Sequence, residues 1–356
     1  MASCVALIIG PRSPTEAVAP AFAHLKRQLF QPFRVGQWLR LGLVGLLAGE
    51  AGSGCNLGDS LNRAADSSSS GSVTPWPAMP DLTNLLIIIA VAVVAIVILA
   101  VVFTWIGSRL RFVLFDSIVA GECRVREFWK QRGPEGMSYF GFQLVLALVS
   151  IALVIAMVGI PAFIIFNKGW FNPQANHLPE VMVGLALLLL LGFALLLPLT
   201  IVQVLVKDFV VPQMALEGVG LREGWRRLAA MMRADKTTYA AYLGLKLVLR
   251  IVATIVILAV TVAAFAVVLI PIGGLGLFAV LGAKAAGASW TAANIGLAVL
   301  ATAVVFLLLV AVAAVISAPV VVFFPAYSMY FFADRYPALA AALDGSPRAR
   351  PGPSSA

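Results

Sequence analysis

Long apolar runs without an ionisable side chain dominate the pattern of the chain. They are Leu85–Ile106, Tyr139–Phe166, Val181–Val206 and Ile251–Ile272, with Ile295–Val321 the most apolar part of a charge-free stretch between Lys284 and Asp334. Each exceeds the ~20 residues that cross a ~30 Å hydrocarbon core. These runs predict five transmembrane helices, the fourth starting near residue 247. Trp38–Cys55 is the weak member of the set, because Arg40 and Glu50 lie near its ends and only Leu41–Gly49 is uninterrupted. Its periodicity also allows a re-entrant or interfacial helix.

Charge placement decides how the runs are threaded. If Trp38–Cys55 crosses, twenty-two of the twenty-five Lys and Arg residues fall on one side, and only Arg63, Lys168 and Lys284 fall on the other. Cytoplasmic loops retain Lys and Arg, so this bias orients the chain. Without that crossing, Arg12, Lys26, Arg27, Arg34 and Arg40 would be stranded outside. The expectation is an all-α integral membrane protein with six transmembrane helices in the plasma (inner) membrane and both termini cytoplasmic. Residues 1–36 form a cytoplasmic N-terminal segment, 37–344 the membrane domain and 345–356 a disordered tail. Cys4 and Cys123 should then face the cytoplasm and Cys55 the exterior.

Composition agrees. The chain is 61% hydrophobic and 12% charged with a mean hydropathy of +0.99, far from the roughly 45–50% apolar and ~25% charged of soluble domains. The net charge of +9 lies in loops beside apolar runs, so anionic lipid headgroups are the expected counter-charge and nucleic acid is not. Three cysteines without a CxxC pair argue against a disulfide framework or a cysteine metal site. Residues 1–17 lack the pattern of a cleaved signal peptide. The Ala, Gly, Val and Arg bias fits a GC-rich prokaryotic genome.

Ser13-Pro-Thr-Glu16 is a capping box that opens a helix over Ala17–Phe30, with Phe22, Leu25 and Leu29 apolar. A cytoplasmic helix lying along the membrane is expected there, followed by a break at Gln31-Pro-Phe. Asn56–Pro80, with its run of serines, reads as an external connector.

Two cytoplasmic loops look like copies of one another. Phe112-Val-Leu-Phe leads to Gly121 and then Arg126-Glu-Phe-Trp129-Lys, while Phe209-Val-Val-Pro leads to Gly218 and then Arg222-Glu-Gly-Trp225-Arg. One inserted residue aligns them. The expected architecture is three two-helix units, Pro14–Ile106, Arg109–Val206 and Asp208–Phe332, each opening with a cytoplasmic interfacial helix. Trp beside Arg and Lys in these loops suits the headgroup layer. Arg126, Trp129, Arg222, Trp225, Arg226 and Arg227 are therefore the candidate contacts to lipid or to a partner protein.

Asp208-Phe-Val-Val-Pro212, Glu217-Gly and Glu223-Gly-Trp, with the closing Tyr330-Phe-Phe-Ala-Asp-Arg335, resemble a recurring block of uncharacterised multi-pass membrane proteins. That group is related to the membrane domain of glycerophosphoryl diester phosphodiesterases. Since the chemistry of those enzymes belongs to a separate soluble barrel, the resemblance implies a membrane module without the enzyme.

The chain carries no common catalytic signature in a workable setting. Gly58-Asp-Ser-Leu61 matches a lipase and esterase nucleophile block, but it lies in the Ser-rich connector, and the two histidines, His24 and His177, are distant. No GxxxxGK[ST], HExxH or GxSxG run occurs. No catalytic, cofactor-binding or metal-ligating residue is assigned, and no cofactor is expected.

Ionisable groups inside apolar runs are the usual pointers to transport, being costly in hydrocarbon. Here they are Glu50, read as an interface residue, and Lys246 and Arg250, which share a helix face with Tyr239 and Tyr242 and are read as snorkelling to headgroups. Gln203, Asn294, Thr200 and Ser317 could bond across helices. Pro198, Pro271 and Pro319 are expected to kink or end spans, and Gly273–Gly276 to loosen an outer turn. The leading expectation is a non-enzymatic module that organises lipids or partner proteins, including copies of itself, at the cytoplasmic face. The alternative is a small-molecule or lipid transporter using Glu50, Lys246 and Arg250.

Overall fold

The computed structural model describes residues 13–31, 33–50, 82–121, 123, 125–167, 178–285 and 292–343. All regular structure among them is helical: α1 (Val18–Phe30), α2 (Val35–Leu47), α3 (Leu82–Ala120), α4 (Val125–Gln131), α5 (Gly133–Asn167), α6 (Leu178–Leu205), a π-turn (Val206–Val210), α7 (Val211–Glu217), α8 (Leu221–Ala234), α9 (Lys236–Ala285), α10 (Ala292–Ala333) and α11 (Pro337–Leu343). Cys4, Cys55, the Gly58–Leu61 motif, the Asn56–Pro80 connector, His177 and the 345–356 tail lie outside the described residues.

Five helical stretches are long and apolar enough to cross a membrane: Leu86–Ala120, Gly133–Phe163, Met182–Glu217, Lys236–Gly276 and Gly296–Ala333. They correspond to the five charge-free runs. Trp38–Cys55 behaves differently. Its described residues, 38–50, overlap α2, which is 13 residues long and at ~1.5 Å per residue reaches only about 20 Å, short of a bilayer's hydrocarbon core. The interior prolines Pro161, Pro198, Pro271, Pro319 and Pro325 do not end their helices, and α9 continues through Gly273–Gly276.

Each long helix is divided between a packed half and an apolar half. In the packed half, Phe209 meets the rings of Tyr239, Tyr242, Phe331 and Phe332 at centroid distances of 5.1 to 5.9 Å. Tyr242 stacks on Phe331 at 4.5 Å and on Tyr327 at 5.3 Å. Beyond this cluster, side chains such as Ile96, Ile155, Leu190, Ile255 and Phe306 are exposed, as lipid-facing residues must be.

Helix α10 is the central element, packing most extensively against α2 and also against α1. Small residues make the α2 contact possible: a Cβ at Gly42 would meet the Ala314 carbonyl oxygen at 1.9 Å, and one at Gly45 the Val321 side chain at 2.2 Å. The reciprocal bonds of the expected capping box form, the Ser13 amide donating to Glu16 at 2.9 Å and the Glu16 amide to the Ser13 hydroxyl at 3.4 Å, but they close a turn that precedes α1, whose own N-cap, Ala17, has no side-chain cap. Helix α1 departs from the expected surface helix. It buries Ala21, Leu25 and Leu29 in the core and leaves Phe22 exposed, because α10 offers an apolar partner that a headgroup layer does not. The Trp38 indole N–H donates to Leu29 O at 2.8 Å, and Gln28 Nε2 to Ser117 O at 3.0 Å. These bonds join α1, α2 and the end of α3.

Candidate functional site

The packed half closes on a charged cluster that draws on four separate parts of the chain. Helix α2 ends at Leu47 with Ala48 as its C-cap, and a left-handed turn at Gly49 (φ +75°) delivers Glu50 into the interior. Its carboxylate accepts Arg111 Nη1 from α3 at 3.1 Å and Lys207 Nζ from the π-turn at 2.7 Å. Arg111 Nη2 also donates to Ala48 O, and Arg250 Nη2 of α9 to Glu50 O, each at 2.7 Å. Side-chain exposure is 5% for Glu50 and 8% for Arg111. Charges so far from water persist only when paired and hydrogen-bonded.

A second network abuts the first. Lys246 Nζ pairs with Asp208 and donates to Ser328 Oγ at 3.1 Å. The Tyr242 hydroxyl lies 3.0 Å from Asp208 Oδ2 and 2.7 Å from Ser328 Oγ. The π-turn joins the networks, because Lys207 and Asp208 are consecutive yet serve different partners. Such wide turns recur at functional positions, where the changed register re-aims side chains.

Above the cluster lies a cavity of about 880 Å³ between α3, α5, α6 and α9, at the upper end of the ~300–1,000 Å³ typical of ligand sites. Its floor carries Glu50, Arg111, Lys207, Lys246 and Arg250; Thr104, Ser108, Gln143, Thr200 and Gln203 lie on its walls; Phe103, Leu197 and Leu247 mark its apolar side. Gln203 Nε2 donates across the helix gap to Gln143 Oε1 at 3.4 Å, and Gln143 Nε2 to the Tyr139 hydroxyl at 2.7 Å. A small void of about 30 Å³ lies between the two networks, enough room for a water molecule.

Glu50, Lys246 and Arg250 thus meet in one place. Snorkelling and interface placement, the readings their positions suggest, are corrected: Arg250 and Glu50 bond across 200 residues of sequence, and Lys246 turns inward to Asp208. Thr200 and Ser317 bond to their own helices instead of across them. Arg111, Lys207 and Asp208 escape sequence reasoning because they sit where spans meet cationic loops. A usable signal exists nonetheless, since Arg111 and Asp208 each immediately precede the first Phe of the two similar loop sequences.

The loop candidates lie apart from the cavity. Arg126 and Arg222 are exposed and Trp129 and Trp225 half-buried. The Arg109 guanidinium lies 4.7 Å from the Trp105 ring and 5.4 Å from the Trp129 ring. On α8, Arg226 and Arg227 pair with Glu223 at 2.7 and 3.0 Å, and Arg227 reaches Glu217 at 2.5 Å. Hydrogen bonds from Arg227 and Arg226 hold the Glu223 carboxyl below its usual range. Among the described residues no group of three or more His, Cys, Asp or Glu could hold a metal ion.

A family model described as a family of unknown function, DUF7544, matches residues 13–342. No curated protein and no solved structure matches the chain. The match shows no link to glycerophosphoryl diester phosphodiesterases.

Proposed function

The chain belongs to the DUF7544 family of unknown function, and from that premise we propose a non-enzymatic membrane protein of transport type, whose working site is the central cavity. The observation that carries the reading is the convergence of Glu50, Arg111, Lys207, Lys246 and Arg250 on the floor of one cavity among apolar helices, with Asp208 paired to Lys246 beside it. Keeping six ionisable groups in such surroundings is costly, and a solute or lipid path is the usual reason for it. The cavity takes in a small molecule or lipid, and rearrangement of the ion pairs releases it. The protein sits in the inner membrane with its packed, cation-rich half and both termini on the cytoplasmic side, a placement that takes Trp38–Cys55 as the sixth crossing beside the five long helices.

Two experiments test this reading. In proteoliposomes, solute-dependent or lipid flux should disappear on Glu50→Gln or Arg250→Ala; no flux across a broad substrate panel would overturn the proposal. In intact cells an impermeant maleimide should label Cys55 and spare Cys4 and Cys123, and labelling of either of the latter overturns the orientation.

The exposed cations of α8 support a second role, contact with anionic headgroups or a partner protein at the same face. The Arg226 side chain is 80% exposed although paired. Replacing Arg126, Arg222, Arg226 and Arg227 together should then reduce the lipids and proteins that co-purify in native nanodiscs. An unchanged set of companions removes this role.

A further inference from the structure

Three cations from three different helical segments point at one residue of a fourth. Arg111 and Lys207 grip the Glu50 carboxylate, and Arg250 grips its backbone carbonyl. Glu50 hangs on the turn at the end of α2, so it enters the cluster as a tethered anion and not as part of a helix wall. Among the described residues of the cluster, four cations face two carboxylates, and Asp208 is engaged by Lys246 and the Tyr242–Ser328 hydroxyls. Displacing the Glu50 carboxylate would therefore leave Arg111 Nη1 and Lys207 Nζ facing the space it occupied, with Arg250 beside them on the Glu50 backbone carbonyl. A guanidinium and an ammonium, with a second guanidinium beside them, suit a phosphate group, with its several acceptor oxygens and its charge of up to about −2.

The surroundings define the rest of the ligand. Above the charges the lining changes to hydroxyls and amides, then to Phe103, Leu197 and Leu247, and beyond those the helices expose only apolar side chains. The exposed apolar stretch of α3, Leu86–Phe103, covers roughly 27 Å at ~1.5 Å per residue, close to the ~30 Å hydrocarbon thickness. The cavity floor consequently lies near the depth of lipid headgroups, and its mouth faces acyl chains.

We propose that Glu50 is a built-in stand-in for a phosphate-bearing ligand, most naturally an anionic lipid headgroup, which displaces its carboxylate from Arg111 and Lys207. This deepens the transport reading and rests on it. The ligand and Glu50 compete for the same donors, so the Glu50→Gln variant should hold the ligand more tightly while losing the return of the carboxylate that releases it.

The full-length protein in nanodiscs is the material for the test, with retained lipid measured by native mass spectrometry. Phosphatidate should be retained over phosphatidylcholine, Glu50→Gln should raise phosphatidate affinity by about tenfold, the worth of a charge-assisted hydrogen bond, and Arg250→Gln should lower it. Glu50→Asp, which shortens the reach by one methylene, should shift affinity in the same direction as Glu50→Gln and guards against a fold defect in the latter. A parallel arm uses inorganic phosphate with thermal melting in detergent. Stabilisation by phosphate alone identifies a soluble phosphate compound as the source; retention of phosphatidate without a phosphate effect identifies the lipid. Anion binding that is unchanged or weaker in both Glu50 variants overturns the proposal. If Arg250→Ala abolishes flux of a neutral or cationic solute and no anion is held, the transport reading survives and this one falls. If neither flux nor binding depends on these residues, both fall.

Discussion

The segments Arg111–Trp129 and Asp208–Trp225 share a framework and differ in charge. In both, the leading aromatic, Phe112 or Phe209, is fully buried, and a glycine with positive φ, Gly121 at +72° or Gly218 at +67°, closes the helix. In both, the residue just before the Phe is a buried ionisable group of the charged cluster. In the first segment it is Arg111, which holds Glu50; in the second it is Asp208, which holds Lys246. The backbones differ as well, since α3 runs unbroken through Arg111 while the π-turn interrupts the helix at Asp208. Similar scaffolds thus bring opposite charges to one site, and the wide turn adds Lys207 where the first segment has Leu110. That inequality supplies one of the four cations that face the two carboxylates of the cluster.

Breaking the comparison at its charged positions should have the largest effect. Arg111→Leu and Asp208→Leu each strand a buried partner, and loss of about 3–5 kcal/mol is expected for either, read from unfolding in detergent. If one of them is neutral, the two positions are not energetically equivalent. Next come the closing glycines. Gly121→Ala and Gly218→Ala should each cost about 1–2 kcal/mol, because a Cβ disfavours the left-handed region; equal losses would mark the two turns as the same device. Smaller again is Arg109→Met, expected to cost about 1 kcal/mol through lost cation–π contact with Trp105 and Trp129. The corresponding position of the second segment is Val206, so that change has no counterpart there. Smallest is Arg226→Ala, which should leave the melting temperature unchanged and lower binding to anionic liposomes, an effect that added salt suppresses.

How much of this the sequence discloses depends on the physics of each feature. Charge-free runs announce the five long helices because hydrocarbon tolerates nothing else. The shared face of Lys246 and Arg250 follows from i, i+4 spacing alone. Its direction does not, since a cation near a span end can reach water as readily as a neighbour, and only the positions of Asp208 and Glu50 decide between them. Asp208 and Lys207 look like ordinary loop-flanking charges in one dimension. The π-turn leaves no mark in apolar periodicity, because one widened turn shifts the register by less than the pattern resolves. Helix α2 is ambiguous for a related reason: thirteen mostly apolar residues read the same whether their partner is lipid or the α10 backbone, and Gly42 and Gly45 identify α10 only when the contact is seen.

The apolar halves of the long helices are exposed along most of their length, so in a bilayer hydrocarbon chains would fill the gaps between them. Lipid would then act as a component of the tertiary structure, and the bilayer would partly set the width of the cavity mouth. Acyl-chain length and lateral pressure become variables of the protein's own conformation, acting on Glu50 and its partners without any ligand entering the site.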